Sequence, residues 1–127
     1  MERSTRQRSA IRAVIDAAGR PLSSQEILDG ARVDAMGLGI ATVYRNVKQL
    51  LAEGAIAAVN LPGESPRYET AQSASHHHHH FSCTQCGRVF DVAGCHTQLD
   101  KMVPAGFVVQ RHELTLYGVC AECGAAS

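Results

Sequence analysis

The sequence predicts an α+β chain in which an N-terminal winged helix-turn-helix domain is followed by a small C-terminal α/β metal-binding module. Three observations carry this expectation. Three apolar stripes at helical spacing precede a strand-turn-strand pattern, a short stretch of small residues at 71–75 interrupts all periodicity, and two Cys-x-x-Cys pairs bracket what remains. The expected boundaries are 1–70 for the winged helix, 71–75 for a linker and 76–127 for the second module. A chain of 127 residues holds two small modules at most, and 45% hydrophobic residues suffice for a real core.

Ile11, Val14, Ile15 and Ala18 define the first helix, which Gly19-Arg20-Pro21 ends. Ser23 followed by Glu26 is a capping-box pattern, and Ile27, Leu28 and Ala31 form the stripe of a second helix, with Gly37 and Gly39 marking the turn after it. Ile40, Val43, Val47, Leu50 and Leu51 share one face of a third helix, and Gly54 sits at its C-terminal cap. At 100° per residue, Thr42, Arg45, Lys48 and Gln49 point away from that stripe, with Tyr44 on the flank. Residues 55–60 and 67–70 read as strands around a 61–66 turn, so three helices and a hairpin spell a winged helix whose third helix enters a DNA major groove. The competing reading is a small helical core whose polar face merely meets water.

In the second module, Phe81–Cys83 and Arg88–Val92 read as strand pieces around a Cys-x-x-Cys turn. Leu99, Met102 and Val103 suggest one short helix ended by Pro104 and Gly106, after which Phe107–Arg111 and Leu114–Cys120 alternate as two strands.

Twelve basic and twelve acidic side chains make the chain formally neutral, so a polyanion must be met by a local patch. The first twelve residues provide one, with Arg3, Arg6, Arg8 and Arg12 against Glu2, unless they are a frayed, solvated terminus. No run reaches the length of a membrane span, and Met1 to Arg6 lack the apolar stretch of a secretory signal, which predicts a soluble cytoplasmic protein without membrane contact.

Cys83, Cys86, Cys120 and Cys123 offer two thiolate pairs from tight turns, the ligand set of a closed structural zinc site. Residues 87–119 separate the pairs, so the chain between them must fold back and the metal would staple the module's ends. A redox pair and disulfides are the rivals, and an odd count of five cysteines disfavours the latter. The run His76–His80 is internal, unlike a purification tag. As an extended segment it directs His76, His78 and His80 to one face and His77 and His79 to the other, so one strand can feed two metal sites. Glu69, Asp91, Cys95, His96 and His112 are candidate partners, although each has a bland reading as a solvated or buried residue. No nucleophile-base arrangement or phosphate loop stands out, so an enzyme is not expected.

Taken together, residues 4–8 (Ser-Thr-Arg-Gln-Arg), 39–45 (Gly-Ile-Ala-Thr-Val-Tyr-Arg), the histidine run leading into Cys83-x-x-Cys86-Gly87, and Leu116-Tyr117-Gly118-x-Cys120-x-x-Cys123 closely resemble the ferric uptake regulator family, most of all its zinc-uptake regulators. The resemblance implies a homodimeric, metal-responsive repressor that binds double-stranded, palindromic operator DNA through the first module and dimerises through the second. Arg6, Arg8, Thr42, Tyr44, Arg45 and Lys48 would contact DNA, and the four paired cysteines would hold structural zinc. A regulatory interdomain site would use Glu69, His78, His80 and Asp91, and a second site His77, His79 and His112, with His96 and Cys95 as further candidates. The implied regulatory ion is zinc, with iron or manganese, including a peroxide-sensing role, as the alternative. Pro21 stands where many relatives carry a histidine, and the helix after Asp91 looks about one turn short, leaving Gln98, His96 or Cys95 to replace a glutamate. A zinc-storage or interaction module without DNA binding is the reading from another class.

Overall fold

The computed structural model describes residues 3–74, 79–93 and 97–125. The chain divides into two compact units, Met1–His76 and His77–Ser127.

In the first unit, α1 (Arg3–Ala18), α2 (Ser24–Ala31) and α3 (Ile40–Ala52) precede a hairpin of β1 (Ile56–Val59) and β2 (Arg67–Thr70). The helices close on a core that includes Ile11, Ile15, Ile27, Leu28, Val43, Val47 and Leu50, the apolar stripes read from the sequence. Helix α1 begins at Arg3, so the basic stretch is helical rather than frayed. The capping box is formed: Ser23 Oγ accepts from Glu26 N–H at 3.1 Å, and Glu26 Oε1 accepts from Ser23 N–H at 3.0 Å. Gly54 adopts φ +74°, and the N–H groups of Gly54 and Ala55 donate to the carbonyls of Leu51 and Leu50, ending α3 in a left-handed turn that favours glycine.

The hairpin is antiparallel, pairing Ile56 with Thr70 and Ala57 with Glu69. Leu22 adds a bridge to Tyr68 through two reciprocal 2.8 Å hydrogen bonds, so the link between α1 and α2 serves as a third rung of the wing. Periodicity gives no sign of that bridge, because a single paired residue carries no pattern. A second fastening is ionic. Glu26 receives Arg20 and Arg67 at 2.7 Å each, one per carboxylate oxygen, which joins α2 to the wing. Burial would raise the Glu26 pKa, but the Ser23 N–H, the Arg20 hydrogen bond and the charges of Arg20 and Arg67 outweigh it and hold the group below the usual value. Residues 71–74, expected as part of a linker, form the single helical turn α4 (Ala71–Ala74), started by Thr70 Oγ1 accepting from Ser73 N–H.

In the second unit, β3 (His79–Cys83) lies between β4 (Val89–Val92), antiparallel to it, and β5 (Thr115–Gly118), parallel to it. A 3₁₀ turn (Thr97–Met102) lies in the long crossover a parallel neighbour demands, and α5 (Ala121–Ala125) ends the unit. The strand expected at Phe107–Arg111 is not formed: these residues are irregular, and Phe107 and Val108 are exposed. Alternation alone does not make a strand, because its backbone needs a ladder partner, and residues 107–111 make no ladder with any strand among the described residues.

Candidate metal centres and nucleic-acid interface

Sheet register assembles the cysteine centre. Parallel pairing sets Cys83 opposite Gly118, so Cys120 follows two residues beyond, beside the turn that carries Cys86. Thr84 N–H donates to the Gly118 carbonyl at 2.7 Å and the Thr84 hydroxyl donates to it at 3.1 Å, pinning one knuckle to the other. The sulfurs of Cys83, Cys86, Cys120 and Cys123 all lie within 4.8 Å of one another, with Cys86 and Cys120 at 3.9 Å. A tetrahedral zinc–thiolate centre with bonds of about 2.3 Å places its sulfurs about 3.8 Å apart, whereas a disulfide needs about 2.05 Å. The four residues fit zinc and are unpaired as disulfides.

The backbone is arranged for thiolate. Cys83 Sγ accepts N–H bonds from Cys86 at 3.5 Å and Cys120 at 3.3 Å, which lower its pKa to about 6. Arg88, which spacing did not single out, donates from Nε to Cys86 Sγ at 3.1 Å and lowers that pKa too. Cys123 is pushed up to about 12, first by its hydrogen bond with Cys120. Thiols must lose their protons to bind zinc, so metal uptake by this centre would release protons.

Two further pairs lie on β3. His80 Nε2 is 3.3 Å from Oδ1 of Asp91, its partner in the ladder, and His79 Nε2 is 3.2 Å from His112 Nε2. Two ligand atoms about 2.0–2.1 Å from a tetrahedral ion sit about 3.3 Å apart, so both spacings suit a shared cation. Imidazole pairs suit zinc, and the Asp91 oxygen widens the choice to harder ions. Glu69 lies on β2 of the first unit. His77, His78, Cys95 and His96 lie outside the described residues.

On α3, Tyr44, Arg45 and Lys48 are exposed while Val43, Val47 and Leu50 are buried, so the outer face is polar and available. Arg45 donates to Thr42 Oγ1 at 3.0 Å, which pre-orients the guanidinium. A cleft of about 360 Å³ between α1 and α3 is lined by Thr5, Arg8, Thr42, Arg45, Asn46 and Gln49, all donors or acceptors suited to nucleic-acid backbone and bases. Arg6 is exposed on α1, whereas Arg8 is ion-paired with Glu53 at the end of α3. Sequence reading missed Glu53, because the two residues are distant in the chain. Among the described residues, no helix is long and apolar enough to cross a membrane.

The model of the ferric uptake regulator family matches residues 2–117. The zinc uptake regulation protein of Mycobacterium tuberculosis is 28% identical over 124 residues, covering 95% of this chain and 94% of that protein. Among solved structures, a zinc-bound manganese uptake regulator superposes with a TM-score of 0.76 at 26% identity, covering 90% of this chain and 87% of that one. The Helicobacter pylori ferric uptake regulator, described as having three functional metal-binding sites, gives 0.64 at 26% identity over 93% and 79%. A match running from residue 2 to residue 117 takes in both units, and the chain therefore belongs to the ferric uptake regulator family, whose members are metal-responsive DNA-binding transcriptional regulators and not enzymes.

Proposed function

We propose that this chain is a cytoplasmic, homodimeric, zinc-responsive repressor that binds a palindromic DNA operator. The observation that carries the reading is the separation of a closed four-thiol centre from two neighbouring pairs, His80 with Asp91 and His79 with His112. A closed centre suits a permanent structural ion, and partly assembled imidazole and carboxylate sets suit an exchangeable one. Similarity to a zinc uptake regulation protein supports zinc as that ion. In this assignment Cys83, Cys86, Cys120 and Cys123 hold structural zinc, and His80 and Asp91 hold the regulatory ion, with Glu69 and His78 completing the set by correspondence with the family pattern. His79 and His112, with His77, form the second site, and His96 and Cys95 are its remaining candidates.

The dimer is supported by the outer strand β5, which exposes Leu116 and Tyr117, and by the exposed Leu114 and Val119 at its ends. Two copies related by a two-fold axis would present two α3 helices, which is why the operator would be palindromic. Arg45 and Lys48 supply base and phosphate contacts, Tyr44 and Thr42 apolar contact, and Arg6 and Arg8 contacts to the backbone or minor groove. An ion that binds the DNA-competent arrangement more tightly than the others shifts the equilibrium toward it. A coupling of about 1–3 kcal/mol changes DNA affinity roughly 5- to 150-fold.

Operator binding measured before and after removal of only the exchangeable ion tests the switch, and equal affinity in both states refutes it. Arg45→Ala is expected to lose about 1–3 kcal/mol of base discrimination, seen as relaxed specificity in competition binding. Full retention of specificity refutes α3 as the reading helix. The Asp91 oxygen favours iron or manganese as a second reading, and the ion that gives the tightest operator binding in parallel titrations decides between them.

A further inference from the structure

We propose that Arg88 is a positioning residue of the four-thiol centre, clasping its two knuckles together and setting how tightly the centre retains its metal. This rests on reading the centre as a zinc tetrathiolate. Three contacts of one guanidinium carry it. Nε donates to Cys86 Sγ at 3.1 Å, Nη2 donates to Cys120 Sγ at 3.7 Å, and Nη1 lies 2.8 Å from Glu122 Oε2. Cys86 belongs to the first knuckle, and Cys120 and Glu122 to the second, so a single planar side chain bridges segments far apart in sequence. Its guanidinium carbon sits 5.8 Å from the centre of the Phe90 ring, which supports the side chain from β4.

The chemistry explains why a cation belongs there. Four thiolates around a divalent ion leave two excess negative charges, and Arg88 offsets one of them beside two of the sulfurs. Each N–H···S bond withdraws electron density from a sulfur lone pair, making that sulfur a poorer target for protons and electrophiles. Protonation and electrophilic attack are routes by which such centres lose metal. A lysine ammonium at this position keeps the charge but lacks the fixed fork that addresses two sulfurs and a carboxylate together. Glu122 is exposed, so its pairing adds little energy; its part is to orient the fork.

The test uses the full chain loaded with zinc or with cobalt. Arg88→Met keeps an aliphatic stem against Phe90 and removes all three donors. Transfer of zinc to a coloured chelator is expected to become about 10- to 100-fold faster, and the sulfur-to-cobalt charge-transfer band to move to lower energy. Arg88→Lys is expected to recover part of the retention without restoring the band. Glu122→Gln, at an exposed position, is expected to move both readouts the same way by less, which keeps the test sound should Arg88→Met not fold. Wild-type release rates and an unmoved band in Arg88→Met, or in Glu122→Gln should Arg88→Met not fold, overturn the role of Arg88. Failure of the wild-type chain to give a tetrathiolate cobalt spectrum overturns the zinc reading, and this inference with it.

Discussion

Stripping the metal from the four-thiol centre is expected to unfold the second unit while the first stays folded. The two units differ in what holds them. The first closes on Ile11, Ile15, Ile27, Leu38, Val43 and Leu50, each at most 1% exposed. In the second, the buried hydrophobic residues among those described are Cys83, Val89 and Cys120, and two of these three belong to the four-thiol centre. Burying Val89 contributes about 2 kcal/mol, far from enough to order three strands, whereas a structural zinc site contributes about 10–16 kcal/mol. Losing even half of that, roughly 5–8 kcal/mol, lowers amide protection about 10⁴- to 10⁶-fold. Hydrogen exchange read by mass spectrometry measures this peptide by peptide at one fixed protein concentration. Segments 79–92 and 115–120 are expected to exchange near the unfolded rate after chelation or in Cys120→Ser, while α1 and α3 keep their protection. If β3 amides stay protected in the metal-free chain, unit two has a core independent of its thiols and the staple argument is wrong.

Glu26→Gln is expected to destabilise the first unit by about 2–4 kcal/mol at pH 7, because it leaves Arg20 and Arg67 facing a neutral amide at a side chain only 26% exposed. The Glu26 pKa is lowered by folding, so its contribution is full above the unfolded value and disappears as pH falls through the folded one. Urea melts are expected to show a wide gap between wild type and variant near neutrality that closes in acid, and a pH-independent gap contradicts the ionic account. Gly30→Ala is expected to lose about 1–3 kcal/mol despite the higher helix propensity of alanine, since its Cβ would lie 2.9 Å from Val14 Cγ1 at the α1–α2 contact. Thermal melts that show stabilisation instead would mean the two helices separate there at little cost.

Much of the first unit was legible one element at a time. The stripes of α1, α2 and α3, the Ser23–Glu26 capping box and the glycine after α3 are patterns within a few residues of chain, and each is formed. The thiol pairs were legible as ligand sets for the same reason: Cys-x-x-Cys is a turn that presents two sulfurs wherever the rest of the chain goes. Reading ran out where a contact joins distant residues. Alternation marked Phe107–Arg111 and β5 equally as strands, yet only β5 found an edge to pair with, and no local signal separates the two.

The chain's own order of residues therefore determined which segments coil, where they stop and which side chains can bind metal, because helix periodicity, capping and short ligand spacings act over one or two turns. Tertiary structure alone decided that β5 runs parallel to β3, which brings Cys120 to within 3.9 Å of Cys86. The same folding laid Arg88 across both knuckles, paired Arg8 with Glu53 and joined Leu22 to the wing. Those are pairings between backbones and charges brought together from far along the chain, and their partners are chosen by which edges and donors the packed elements leave open.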